Sequence, residues 1–107
     1  MSNSAIVVFV TAPSSSDAAD IAKTIVSERL AACVNIIAGI RSIFFWEDKI
    51  QDEEETLMII KTKKELFESL KRRIIMMHPY SVPEIISVDI TDGNEDYLKW
   101  IYETVKG

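Results

Sequence analysis

Three residue types are scarce enough in this 107-residue chain to exclude whole classes of chemistry. A single cysteine, Cys33, cannot build an internal disulfide framework, a four-thiolate zinc site or an iron–sulfur cluster within one chain. A single histidine, His78, excludes the paired-histidine metalloprotease motifs. The three glycines, Gly39, Gly93 and Gly107, stand too far apart for a phosphate-cradling loop of the P-loop or dinucleotide type. Positive charge is in the minority, with 12 Lys and Arg against 17 Asp and Glu and a net charge of −5. A protein that neutralises many phosphates needs a cationic surface. Here the basic run Lys61, Lys63, Lys64, Lys71, Arg72 and Arg73 falls on a predicted helix and its approach, where a solvated face accounts for it. Nucleic acid is not an expected partner. Long apolar runs are missing too: residues 5–10 are too few for a membrane span or a secretory core, and no basic residue precedes them. A cytoplasmic chain without a membrane partner, its lone thiol kept reduced, is the expectation.

What is present reads as one folded domain, residues 1–107, with 48% apolar and 27% charged residues. Residues 5–11 (AIVVFVT) form a short β-branched run stopped by Pro13, which suits a buried central strand. Ser14, Ser15 and Ser16 with Asp17 supply capping oxygens and an acid for a first helical turn. Ala18, Ile21, Ala22, Ile25, Val26 and Leu30 then follow helical spacing, so this helix is predicted to end near Ala31 or Ala32. Residues 34–46 are β-rich, with a bulge or bend expected at Gly39 and a turn over Glu47, Asp48 and Lys49. The acidic stretch 51–55 is expected to face solvent ahead of a further strand at 57–62, the whole making a long antiparallel hairpin that projects from the domain. Thr62 and Glu65 match a capping box, and Leu66, Phe67, Leu70, Ile74 and Met77 form the apolar stripe of a second helix ended by His78-Pro79. Residues 84–90 read as a strand with Ile86, Val88 and Ile90 pointing inward, and Tyr97, Leu98, Trp100, Ile101 and Val105 mark a closing helix.

The order β-α-β-β-α-β-α predicts an α+β, ferredoxin-like (βαββαβ) four-stranded antiparallel sheet with two helices on one face and an extra C-terminal helix. The other face is left uncovered, with Phe44, Phe45, Trp46 and parts of LMII (57–60) among its candidates for exposure. Self-association, with the last helix covering part of that face as the alternative, resolves the exposure.

Six segments carry a family resemblance in order and spacing: TAP (11–13), LAACVNI (30–36), SIFFWEDKI (42–50), IKT (60–62), HPYSVPEI (78–85) and YLKW (97–100). Along nearly its whole length the chain resembles the CutA divalent-cation-tolerance family. That resemblance implies a homotrimer of ferredoxin-like protomers, a cytosolic setting and a link to copper and other divalent cations. The implied fold and trimer are similar to those of PII-type signal transducers, which bind small effectors in clefts between subunits; this second likeness lives at the level of fold.

His78 is the candidate metal ligand, since a neutral imidazole suits Cu(II) and Zn(II); the alternative is that its ring caps the second helix. Copper-binding bacterial relatives of the family carry a cysteine just before TAP and a second histidine just before HPY, positions held here by Val10 and Met77, so of that set only His78 is present. Cys33 reads as a small buried hydrophobe or, if exposed, a soft-metal target. Trp46, Lys61, Tyr80, Glu84 and Trp100 are the candidate ligand pocket, aromatic walls with one acid and one lysine, or else interface packing. Glu84 and His78 have no accompanying nucleophile or oxyanion donor, and no enzymatic activity is expected. Asp48 stands where the family usually has glycine in the turn.

Overall fold

The computed structural model describes residues 4–107. β1 (Ala5–Ala12), α1 (Ser15–Ser27), β2 (Cys33–Trp46), β3 (Lys49–Lys63), α2 (Phe67–Met77), β4 (Ile85–Asp89) and α3 (Glu95–Thr104) follow in the expected order. The sheet is antiparallel throughout, in the order β2-β3-β1-β4, so the apolar first strand is central as its composition requires. Alternation along β1 sorts the two faces. Ile6, Val8, Val10 and Ala12 point to the helices and pack with Ile21, Ile25, Met58, Ile60, Leu70 and Ile74. Ala5, Val7, Phe9 and Thr11 point the other way.

Ser14 caps α1, its side chain accepting from the Asp17 N–H at 3.1 Å. The helix stops at Ser27 rather than near Ala31 or Ala32. The Leu30 N–H reaches the Ile25 carbonyl and the Arg29 N–H reaches that of Val26, both at 2.9 Å, with Arg29 at φ 60°. This paired closure ends the helix with a left-handed residue, which is ordinarily glycine. Leu30 then lands in the core through the turn rather than as a helical position, which is why helical spacing overran the end.

The capping box is also absent. Thr62 Oγ1 donates instead to the Leu30 carbonyl at 2.7 Å, and one 3₁₀ turn (Lys64–Leu66) leads into α2 without a side-chain cap. The apolar stripe of α2 forms through Phe67, Leu70, Ile74 and Met77, whereas Leu66 falls in the 3₁₀ turn and packs with α3; the chain turns extended at His78, whose successor is Pro79.

The acidic stretch does not separate two elements; it lies within β3, a single strand of 15 residues. Gln51 and Glu53 pair with Phe44 and Ser42, and Glu55 is buried at 8% exposure. The Gly39 bulge is present, at φ 77° with a register shift between Ile37 and Ile40. Glu47 and Asp48, at φ 51° and 64°, form a two-residue turn of the type that follows strand twist. Molecular extents of 47 × 25 × 22 Å agree with the hairpin projecting along the long axis.

In β4 the inward assignment is reversed. Ile86 and Val88 pair with Phe9 and Val7, so they share the helix-free face and are about half exposed, while Ile85 packs against the core. Alternation groups Ile86 and Val88 on one face without saying which face the helices cover; Ile90, just past the strand, is partly buried against the α3 cluster. α3, capped by Asn94, covers one end of the helix-free face through Ile101 and Val105 packed with Ala5, Ala32 and Leu66. Beyond it, Ile37, Phe44, Trp46, Ile86 and Val88 are exposed. No helix among the described residues is long and apolar enough to cross a membrane.

Candidate functional site

The hairpin leaves the sheet beside the loop that joins α2 to β4, and the space between them is a cleft of about 1010 Å³. Phe44 and Trp46 from β2, Glu53 and Glu55 from β3, and Tyr80 and Glu84 from the loop line it. Among the described residues, no lysine, arginine or histidine belongs to its lining.

The Tyr80 hydroxyl donates to Glu55 Oε2 at 2.6 Å, tying the loop to the root of the hairpin. Burial first, then that hydrogen bond and the charges of Glu55, Glu53 and Asp17, push the Tyr80 phenol well above its ordinary pKa. The ring also lies 4.8 Å from that of His78.

His78 is 8% exposed and has both ring nitrogens in use. Nδ1 lies 3.1 Å from the Tyr80 backbone N–H, which can only donate, so Nδ1 accepts. Nε2 therefore carries the proton and donates it to the Thr11 carbonyl at 2.7 Å. The ring staples the end of α2 to the end of β1, and a metal bound to either nitrogen would displace one of these bonds. Val10, fully buried, has no donor atom, and Met77, half-buried against the core, offers only a thioether. Among the described residues no group of three or more His, Cys, Asp and Glu is placed to hold a metal ion. The donor set here does not fit a preformed copper centre at His78.

The five residues expected to share a pocket fall into two groups. Trp46, Tyr80 and Glu84 meet in the cleft. Lys61 and Trp100 do not line it: Lys61 bonds the Asn35 side chain and lies 4.0 Å from Cys33 Sγ, and Trp100 stacks at 5.5 Å on Tyr97. Tyr97 itself has its pKa raised, by burial first and then by the neighbouring Cys33. Cys33 is half-buried at that second locus. Glu53 and Glu55 belong to the acidic stretch expected to face solvent, yet both line the cleft. Their odd-numbered spacing, opposite Ser42 and Ile40 in the same register that sets Gln51 opposite Phe44, is the signal that places them on the cleft face.

These features define a class: a ferredoxin-like protomer with an added C-terminal helix, a projecting hairpin and a mostly bare sheet face. The pattern of the CutA1 divalent ion tolerance proteins matches residues 6–104. A divalent-cation tolerance protein of Thermus thermophilus is 46% identical over 97 residues, covering 91% of this chain and 94% of that protein. The chloroplastic protein CutA of Arabidopsis thaliana is 45% identical over 101 residues, 94% of this chain but 56% of the longer plant protein. The solved structure of the Thermus thermophilus divalent cation tolerance protein superposes with a TM-score of 0.93 at 44% identity, covering 95% of this chain and 99% of that one. The chain belongs to the CutA1 divalent ion tolerance family.

Proposed function

We propose that this chain acts in tolerance to divalent cations, copper among them, as a cytoplasmic homotrimer without enzymatic activity. The observation that carries the reading is the bare sheet face. Ile37, Phe44, Trp46, Ile86 and Val88 are exposed on one side of the sheet, and Phe45 and Ile50, a cross-strand pair, add exposed apolar surface on the other side of the hairpin. A monomer in water rarely leaves such a surface open. Head-to-tail packing of one copy's hairpin on the next copy's sheet covers it and closes a ring. Contact with Cu²⁺ is weak in this reading, because His78 is committed to its two hydrogen bonds.

Native mass spectrometry with and without added copper, paired with sedimentation at micromolar protomer concentration, tests both parts. Three subunits per particle are expected, with copper retained to the same small extent by the wild type and His78→Ala. Stable lone protomers would refute the assembly. Stoichiometric copper lost in His78→Ala would refute the account of the histidine.

The cleft favours a second reading, similar to that of the PII-type transducers: a sensor whose crevices, bordered by the neighbouring copy, take a small effector. Aromatic walls with a few directed polar groups are what such a site requires. A ligand selective for the folded assembly raises its apparent stability, which a thermal-shift screen detects.

A further inference from the structure

We propose that His78 is an acid-sensitive latch: a proton added at its Nδ1 expels the Tyr80 N–H and releases the loop after α2 from the root of the hairpin. The neutral ring fits its site in one way. Nε2 donates to the Thr11 carbonyl at 2.7 Å, and Nδ1 accepts from the Tyr80 N–H at 3.1 Å. With 8% of the residue exposed, water cannot readily replace either partner. An imidazolium has two N–H donors and no acceptor, so Nδ1–H and the Tyr80 N–H would then point at one another. The backbone amide cannot reverse its role. The Thr11 carbonyl still suits the charged ring, and better than before, so it is the loop that withdraws.

Release at the amide travels to the hairpin because Tyr80 is bonded at both ends. Its hydroxyl donates to Glu55 Oε2 at 2.6 Å, and Glu55 stands on β3 at the hairpin root. Pro79 and Pro83 bracket the loop and fix two of its φ angles, which leaves few ways to move the amide while keeping the phenol in place. Acidic groups surround the pair. After burial, the charges of Glu55 and Glu53 on β3 and Asp17 on α1 raise the Tyr80 phenol, whose ring lies 4.8 Å from that of His78. Glu84 at the end of the loop lines the same cleft. β1 offers the histidine the Thr11 carbonyl, and the last turn of α2, residues 74–77, bears no charged side chain. His78 also follows directly on that helix, whose C-terminal end is its negative pole. These fields attract a charged ring while the Tyr80 N–H excludes it. Two arrangements answer the two demands: neutral and latched, or charged and released.

His78 is the only histidine in the chain, so its ring resonances report its protonation without overlap. The full chain is titrated by NMR from about pH 8 to about pH 5, following the ring and the Tyr80 amide together. We expect the amide resonance to move with the midpoint of the ring, and its protection from exchange, corrected for intrinsic rate, to fall by about tenfold or more. His78→Gln keeps one acceptor and one donor on a side chain that does not titrate, so there the Tyr80 amide should stay still across the same range. A ring that gains its proton while the amide holds its place would overturn the proposal. So would a ring that stays neutral down to about pH 5. A Tyr80 transition that persists in His78→Gln would assign the movement to the carboxylates instead. Should His78→Gln fail to fold, coincidence or divergence of the two midpoints in the wild type decides the matter.

Discussion

Replacing Tyr80 by phenylalanine removes one oxygen and tests the junction between hairpin and body. In the native protein that oxygen sits 2.6 Å from Glu55 Oε2, and Glu55 is 8% exposed. A hydrogen bond to a charged group is worth about 1.5–3 kcal/mol, and here the abandoned carboxylate keeps no other hydrogen bond. Water entering from the cleft offsets part of that, so we expect a loss of about 2 kcal/mol. Urea denaturation at fixed protomer concentration should show the midpoint falling by about 1 M. Glu55→Gln retains a neutral acceptor and should cost about 1 kcal/mol, and Tyr80→Phe added to it should cost only about 1 kcal/mol more. The pH dependence has a fixed sign. The native protein holds the Tyr80 proton more tightly than the unfolded chain does, so this contribution is complete below about pH 10 and is lost as pH rises through the native value. Tyr97 shifts in the same direction, so Tyr80→Phe should shrink the alkaline decline without abolishing it. A cost below about 0.5 kcal/mol, or an equal cost with Gln at position 55, would refute the charge-assisted link.

Asp48→Gly should leave stability unchanged or raise it by up to about 1 kcal/mol, since relief of the left-handed backbone is partly offset by the freer unfolded chain. A large drop in melting temperature would show a specific bonding role for the carboxylate. At Arg29, also left-handed, the side chain donates from Nε to the Thr104 carbonyl at 2.9 Å. Both Arg29→Ala and Arg29→Gly lose that bond, but only alanine keeps the backbone strain, so glycine should be the more stable by roughly 1 kcal/mol in urea melts. Ile86→Glu places a charge on the bare face and should shift sedimentation towards lone protomers; an unchanged trimer would mean that this part of the face is not covered.

Long-period patterns were legible, and local bonding was not. The β-branched run of β1, the stripe of Leu70 and Ile74 and the break at His78-Pro79 each announce their element because burial and proline chemistry act through residue type alone. The end of α1 was hidden because an arginine performs the turn that glycine usually marks. The capping box misled because Thr62 faces the interior of the sheet, where the Leu30 carbonyl claims its hydroxyl. In the cleft, Trp46, Tyr80 and Glu84 were legible from chemistry and order, but Lys61 and Trp100 share their residue types without sharing their location. The burial of Glu55 depends on Tyr80, 25 positions away, a contact that composition does not encode.

The extra residue at the Gly39 bulge has an evolutionary consequence. It sets the parity of everything outboard of it: Ile37 lies opposite Leu57 and Ile40 opposite Glu55, three steps on one strand against two on the other. Were the strands to pair without that break and keep every residue, the outer arm would turn over, presenting Arg41, Ile43 and Phe45 where Ser42, Phe44 and Trp46 now look inward to the crevice. Outboard of the bulge, insertions and deletions should therefore survive only as matched changes on both strands, whereas loss of the surplus residue itself would leave Ile40 opposite Glu55 and Trp46 opposite Lys49.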